Sequence, residues 1–178
     1  MSSGEGLGQG YHVWSPGNLD HPAMSVQPKT GYTLEQYLEL ERSTRVKHEY
    51  FRGEVFAMGG ASFAHTVIAG NVVSTLHGQL RGKPCRVSAS DLRVKVDRTG
   101  LYTYPDVVVV CGAPQLEQPG DSLLNPSVIV EVISESTEAY DRGKKFEQYR
   151  SLDSLTDYIL IAQDTVRAEH YSRQPDNR

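Results

Sequence analysis

Asp106 follows Pro105 at the mouth of one apolar run, PDVVVV, and Glu131 lies inside another, SVIVEVI. If the two runs are adjacent strands of one sheet, their carboxylates come within several ångströms of each other. Each costs several kcal/mol to desolvate and the two repel, so something cationic must balance them. Lys145 is the side-chain candidate, because Asp141, Lys145 and Tyr149 follow at i, i+4 and i+8 and give the next helix a polar face. A hard divalent cation such as Mg²⁺ or Mn²⁺ is the other. It takes oxygen ligands from one or two carboxylates, keeps several waters, activates one of them and neutralises charge building on a phosphodiester. A neighbouring lysine then orients the water or stabilises the developing charge.

The elements that must hold these groups can be read from period and punctuation. Thr33 and Gln36 in TLEQ form a capping box, which predicts an amphipathic helix over 33–43. HEYFRGEVFAM reads as a hairpin or a strand, with Arg52-Gly53 as the turn, and SFAHTVIAGNVVSTLHGQL as a long helix ended by Gly82, with Ile68, Val72, Leu76 and Leu80 on one stripe. DLRVKV alternates, which predicts Leu92, Val94 and Val96 inward and Arg93 and Lys95 on a face that meets water. PDVVVV, SVIVEVI and DYILIA are continuously apolar, the pattern of strands covered on both faces. With a helix over roughly 138–151 between the last two, the expected class is α/β or α+β, a mixed central sheet flanked by helices.

The chain has 178 residues, a net charge of −4, 38% hydrophobic and 22% charged residues, enough for one core and ordinary for a globular protein. The mild negative charge does not suit a protein that coats nucleic acid, although a local basic groove remains compatible with it. Lys83, Arg86, Arg93 and Lys95 are candidates for phosphate contacts or for an ordinary strand surface. Residues 1–30 are rich in Gly, Ser and Pro and are expected to form a flexible tail, with Met24 an alternative start, and 31–178 a single domain. No segment has the ~20 apolar residues that span a bilayer. Cys85 and Cys111 make neither a disulfide framework nor a zinc spacing; Cys111 closes VVVVC and reads as a core residue, so a reducing cytoplasm is expected.

TYPDVVVV, followed by NPSVIVEVISESTEAYDRGKKFEQYR, is similar to the Uma-two family of endonuclease-like proteins, part of the PD-(D/E)XK or restriction-endonuclease-like superfamily. The resemblance runs from about Tyr32 to Tyr171 and includes KHEYFRGEVFAMGGASFAH. It implies a restriction-endonuclease-like core and metal-dependent hydrolysis of phosphodiester bonds in DNA. Asp106 and Glu131 would be the metal carboxylates and the Val132 carbonyl a further ligand. Glu54 and His65 complete the set. The superfamily pattern places a lysine two residues after the glutamate; here Ile133 stands there, and Lys145 on the following helix is its replacement. A homodimer would give a double-strand cutter its two sites. The chain stops earlier than family members do, so a final strand and helix are expected to be missing.

Blander readings exist for each residue. Glu131 and Lys145 could be a structural ion pair, Lys145 part of a solvated face with Arg142, Lys144 and Arg150, Asp141 a helix N-terminal acid, and His65 a satisfied core histidine. Together with Ile133 they make a catalytically inactive nucleic-acid-binding or protein-interaction module the alternative function. A serine or cysteine hydrolase has no support, since the chain lacks a GxSxG elbow.

Overall fold

The computed structural model of the chain describes residues 29–118 and 120–174. The tail expected over 1–30 lies outside the described residues except for Lys29–Thr30, which form strand β1 against β3 (Glu54–Ala57). Helix α1 (Leu34–Ser43) starts on the expected capping box, with Thr33 and Gln36 each bonding the other's backbone. Strand β2 (His48–Phe51) turns into β3 through Arg52 and Gly53, at φ +48° and +88°. Two consecutive positive φ values suit the right-handed twist of a tight hairpin.

Helix α2 (Phe63–Gln79) is capped by the Ser62 hydroxyl, which accepts from the His65 amide. Strands β4 (Cys85–Ala89), β5 (Arg93–Val96), β6 (Leu101–Thr103) and β7 (Val107–Cys111) follow, then the short β8 (Leu116–Glu117) and β9 (Ser122–Leu123). Strand β10 (Val128–Ile133) connects to β11 (Asp157–Ala162) through α3 (Glu138–Tyr140), a π-helical turn (Asp141–Lys145) and α4 (Phe146–Tyr149); β12 (Ala168–Ser172) closes the order.

Two sheets result. One runs β1-β3-β2-β6-β5-β9-β8 and the other β12-β11-β10-β7-β4. The second is mixed: β10 pairs parallel with β11 and antiparallel with β7. A parallel pair needs a crossover, and the helical stretch from α3 to α4 supplies it. The apolar run of β10 is explained by its two covered faces. Ile129 and Ile133 join Val108 and Val110 in a core shared with Val94, Val96 and Leu101 of the first sheet and with Tyr149 and Tyr158. Val107, Val109, Val130 and Val132 are buried as well, on the face that α2 crosses.

Three expectations need correction. Arg93 does not meet water: it is 4% exposed, lies within cation–π range of Tyr37, Tyr102 and Tyr104, and bonds Ser122 and Asp121. The outer face of β5 is covered because α1 packs there through Tyr37, so alternation marked polarity but not exposure. Helix α2 ends at Gln79, before Gly82, and its expected core stripe is half-buried rather than enclosed. Cys111 is an exposed residue, not a core one, and is disulfide-bonded to Cys85, its register partner across β4 and β7.

Candidate active site

Strand register sets the first contact of the site. Val130 opposes Val107 in the antiparallel β7–β10 pair, so the next step puts Glu131 opposite Asp106 just where the β7 ladder ends. The ladder hydrogen bonds beyond that point are replaced by side chains. The Asp106 amide donates to Glu131 Oε2 at 3.4 Å, and the Val132 amide donates to Asp106 Oδ2 at 2.7 Å. A backbone N–H that would otherwise be orphaned thus fixes the Asp106 carboxylate.

The helical stretch after β10 brings the lysine. Lys145 Nζ lies 2.9 Å from Glu131 Oε1 and 3.3 Å from Asp141 Oδ1, and the Tyr149 hydroxyl donates to Glu131 Oε1 at 2.9 Å. Glu131, Asp141 and Lys145 are 3%, 5% and 5% exposed. Asp141 and Lys145 are the two ends of the π-helical turn, a widened turn that often marks functional sites, and the Tyr158 hydroxyl donates to the Asp141 carbonyl. Ile133, where a lysine would stand in the superfamily pattern, faces the apolar core instead.

From the other side of the sheet, α2 delivers His65, whose Nε2 is 2.9 Å from Asp106 Oδ1. Its place on the third residue of the helix lets the ring reach the strand mouth while the helix body stays over β4, β7 and β10.

The structure also brings in a residue that the motif spacing did not single out. Glu49 on β2 is buried, accepts from the Thr103 hydroxyl at 2.7 Å and is hydrogen-bonded by the Tyr140 hydroxyl. Lys145 feels its charge. The signal was present in HEYF: Phe51 faces the core, and Glu49, two residues earlier, shares its face. Glu54 opposes Phe51 on β3 but stands exposed at the hairpin end, outside this cluster.

The electrostatics follow from this crowding. Glu49, Asp106, Glu131 and Asp141 are four carboxylates faced by one ammonium and one imidazole. Burial works against the charge on Lys145, but Glu131 and Asp141 more than offset it and hold its pKa well above the ordinary lysine range. Burial, reinforced by Asp106 and Asp141, pushes the Glu131 carboxyl up to about 8 against the pull of Lys145. The hydrogen bond to Asp106 raises His65, and burial only partly opposes it. Negative charge therefore remains in excess. Among the described residues, no group of three His, Cys, Asp or Glu side chains is arranged to hold a metal ion by itself.

Residues 34–178 match the family described as "Uma2: Putative restriction endonuclease". The chain belongs to the Uma2 family. Two curated relatives from Synechocystis sp., both uncharacterized proteins, are 40% identical over 142 residues (80% of this chain, 74% of the relative) and 32% identical over 147 residues (82% and 83%). A solved structure from Anabaena variabilis, titled a putative nuclease belonging to DUF820, superposes with a TM-score of 0.61 at 19% identity. It covers 82% of this chain and 86% of that one. At that identity the likeness speaks for the fold alone.

Proposed function

We propose that this Uma2 protein is a metal-dependent endonuclease that hydrolyses phosphodiester bonds in DNA. The observation that carries the reading is the charge imbalance: four carboxylates converge on one lysine and one histidine at the mouth of a sheet. The donor set fits Mg²⁺ or Mn²⁺. Both ions prefer hard oxygens, and Mg²⁺ in particular is held by one or two carboxylates with water filling the remaining positions, so a cage of three side chains is not required. Asp106 and Glu131 would hold the ion. The Val132 carbonyl is a candidate third ligand, because the N–H and C=O of one strand residue project to the same side and the Val132 N–H already bonds Asp106. Bound there, the ion would lower the pKa of a water and neutralise charge on the phosphoryl oxygens.

The protein's own groups prepare that chemistry. Lys145, kept charged by Glu131 and Asp141, orients the attacking water and offers a donor to developing negative charge. Tyr149 and the Asp106 amide fix the Glu131 carboxylate from two directions. His65 holds Asp106 in its rotamer and, with its proton affinity raised, supplies positive charge toward an approaching phosphate. Glu49 holds the Tyr140 hydroxyl at the site mouth. Glu54 receives no role in this scheme. The Cys85–Cys111 bond removes the cysteine argument for a reducing cytoplasm, and among the described residues no helix is long and apolar enough to cross a membrane.

Supercoiled plasmid incubated with the protein and Mg²⁺ or Mn²⁺ tests the reading. The wild type is expected to nick, and Asp106→Ala, Glu131→Ala and Lys145→Met to reduce the rate at least a hundredfold, as removal of an electrostatic stabiliser does. Nicking that persists unchanged in both carboxylate variants would come from a contaminating nuclease and overturn the assignment of Asp106 and Glu131, and a wild type that never nicks would favour the inactive binding module instead.

A further inference from the structure

The chain carries 22 Asp and Glu residues, yet none falls between Glu54 and Asp91. That tract builds the end of β3, the Met58–Ser62 loop, all of α2 and all of β4. Its only fully charged residues are Arg81, Lys83 and Arg86. All three are exposed, and none makes an ion pair among the described residues. Arg86 pairs in register with Val110 of the inter-sheet core and so lies on the sheet face away from α2, which leaves Arg81 and Lys83 as the exposed cations at the end of the helix. In a protein whose net charge is −4, a stretch that carries cations and no acids offers attraction to a polyanion.

The stretch also leads to the site. Helix α2 carries His65 beside Asp106 at its N-terminal end, and its 17 residues run for about 25 Å toward Arg81 and Lys83. Strand β4 returns from Arg86 to Ala89, which opposes Val107 next to Asp106. At the same end of α2, but turned about 200° from His65, Phe63 is 87% exposed and Val67, one turn on, 42%. Tyr140 at the opposite lip is 38% exposed.

Resting on the nuclease reading, we propose that α2, with Arg81 and Lys83 following its C-terminal end, is the track along which a DNA strand lies, and that Phe63 stacks on a base at the end of α2 that carries His65. The length suits it, since about 25 Å of helix matches roughly seven phosphates of one strand at 3.4 Å each. An exposed phenylalanine is otherwise a liability; a nucleobase is a flat partner of any sequence, and stacking needs no hydrogen-bond code. The track binds phosphates through its basic end and positions a strand at the acidic site, where the backbone charge is met by the bound cation, His65 and Lys145.

Fluorescence anisotropy with labelled single-stranded and duplex DNA of equal length, in Ca²⁺ so that cleavage does not interfere, tests the track. The double variant Arg81→Ala, Lys83→Ala is expected to weaken binding to both and to make the log–log salt slope shallower by about 0.9 for each phosphate that is no longer neutralised. Phe63→Ala is expected to weaken single-strand binding roughly tenfold while leaving the salt slope alone, and Phe63→Trp to restore it. Arg98→Ala, which removes an exposed arginine paired with Asp153 elsewhere, should change neither. All of these residues are exposed, so melting temperatures should stay at the wild-type value. Unchanged affinity and slope in the double variant overturn the track even if the protein nicks plasmid. Binding that behaves as expected in a protein that never nicks upholds the track while the nuclease reading fails. If sedimentation shows a dimer that Phe63→Ala converts to a monomer with DNA affinity intact, the face joins two copies and the proposal is overturned.

Discussion

At Glu131 the physical chemistry of a single side chain becomes a property that can be measured without any substrate. The carboxyl is pushed up to about 8 in the folded protein, first by burial, against an ordinary value of 4.5. Below the ordinary value both the folded and unfolded states hold the proton and nothing is lost. As pH rises toward 8 the unfolded chain has released its proton while the folded chain still resists, so stability falls across that window. The metal-free protein is therefore expected to melt at progressively lower temperature between about pH 5 and pH 8, and Glu131→Gln to flatten this part of the profile. A divalent cation favours the ionised carboxylate, so Mg²⁺ should raise the melting temperature more near pH 8 than near pH 5. A wild-type profile that already matches Glu131→Gln, in metal-free buffer, would show that Lys145 and Tyr149 satisfy the carboxylate completely.

The elements were legible wherever one local signal decided them. The TLEQ capping box, the continuous runs that became β7, β10 and β11, and the Arg52-Gly53 turn were all readable, because caps, covered strands and tight turns each have their own chemistry. The turn yields a further prediction. Arg52 is held at φ +48°, a conformation that asparagine adopts more readily than arginine and that a two-residue hairpin turn favours with Gly next. Arg52→Asn is therefore expected to stabilise the fold by about 0.5–1 kcal/mol, read as a shifted urea midpoint at constant slope; a lower midpoint would mean that the Arg52 guanidinium, which lies over the Phe51 ring, contributes more than the backbone strain costs. What escaped the sequence were features set by neighbours in space. The covered face of β5 depended on α1 packing through Tyr37, and Glu49 rather than Glu54 entered the cluster because two strand residues, about 7 Å, separate the hairpin end from the site. The approach of Asp106 and Glu131 was readable because adjacent apolar runs are commonly adjacent strands, whereas the π-helical turn that aims Asp141 and Lys145 left no mark beyond their spacing.

Across the whole molecule, the site gathers side chains from β2, α2, the mouth of β7, β10 and the π-helical turn, so its geometry depends on how firmly the edge strand β4 and the helix leading into it are anchored. Strand β4 is the last strand of its sheet, with β7 as its one neighbour there, and the Cys85–Cys111 bond ties the two at the end remote from Asp106. The pair was not legible because the cysteines are 26 residues apart and meet only after β5 and β6 have been sent to the other sheet. Closing a loop of that size restricts the unfolded chain by about 3–4 kcal/mol on an entropic argument. Cys85→Ser with Cys111→Ser should therefore lower the urea midpoint, and a reducing agent should bring the wild type down to the same value. Because the bond lies at the far end of β7, neither treatment should change the nicking rate at temperatures where the protein stays folded. If the double variant were as stable as the oxidised wild type, the five-residue register of β4 on β7 would by itself be sufficient to anchor α2 and hold His65 against Asp106.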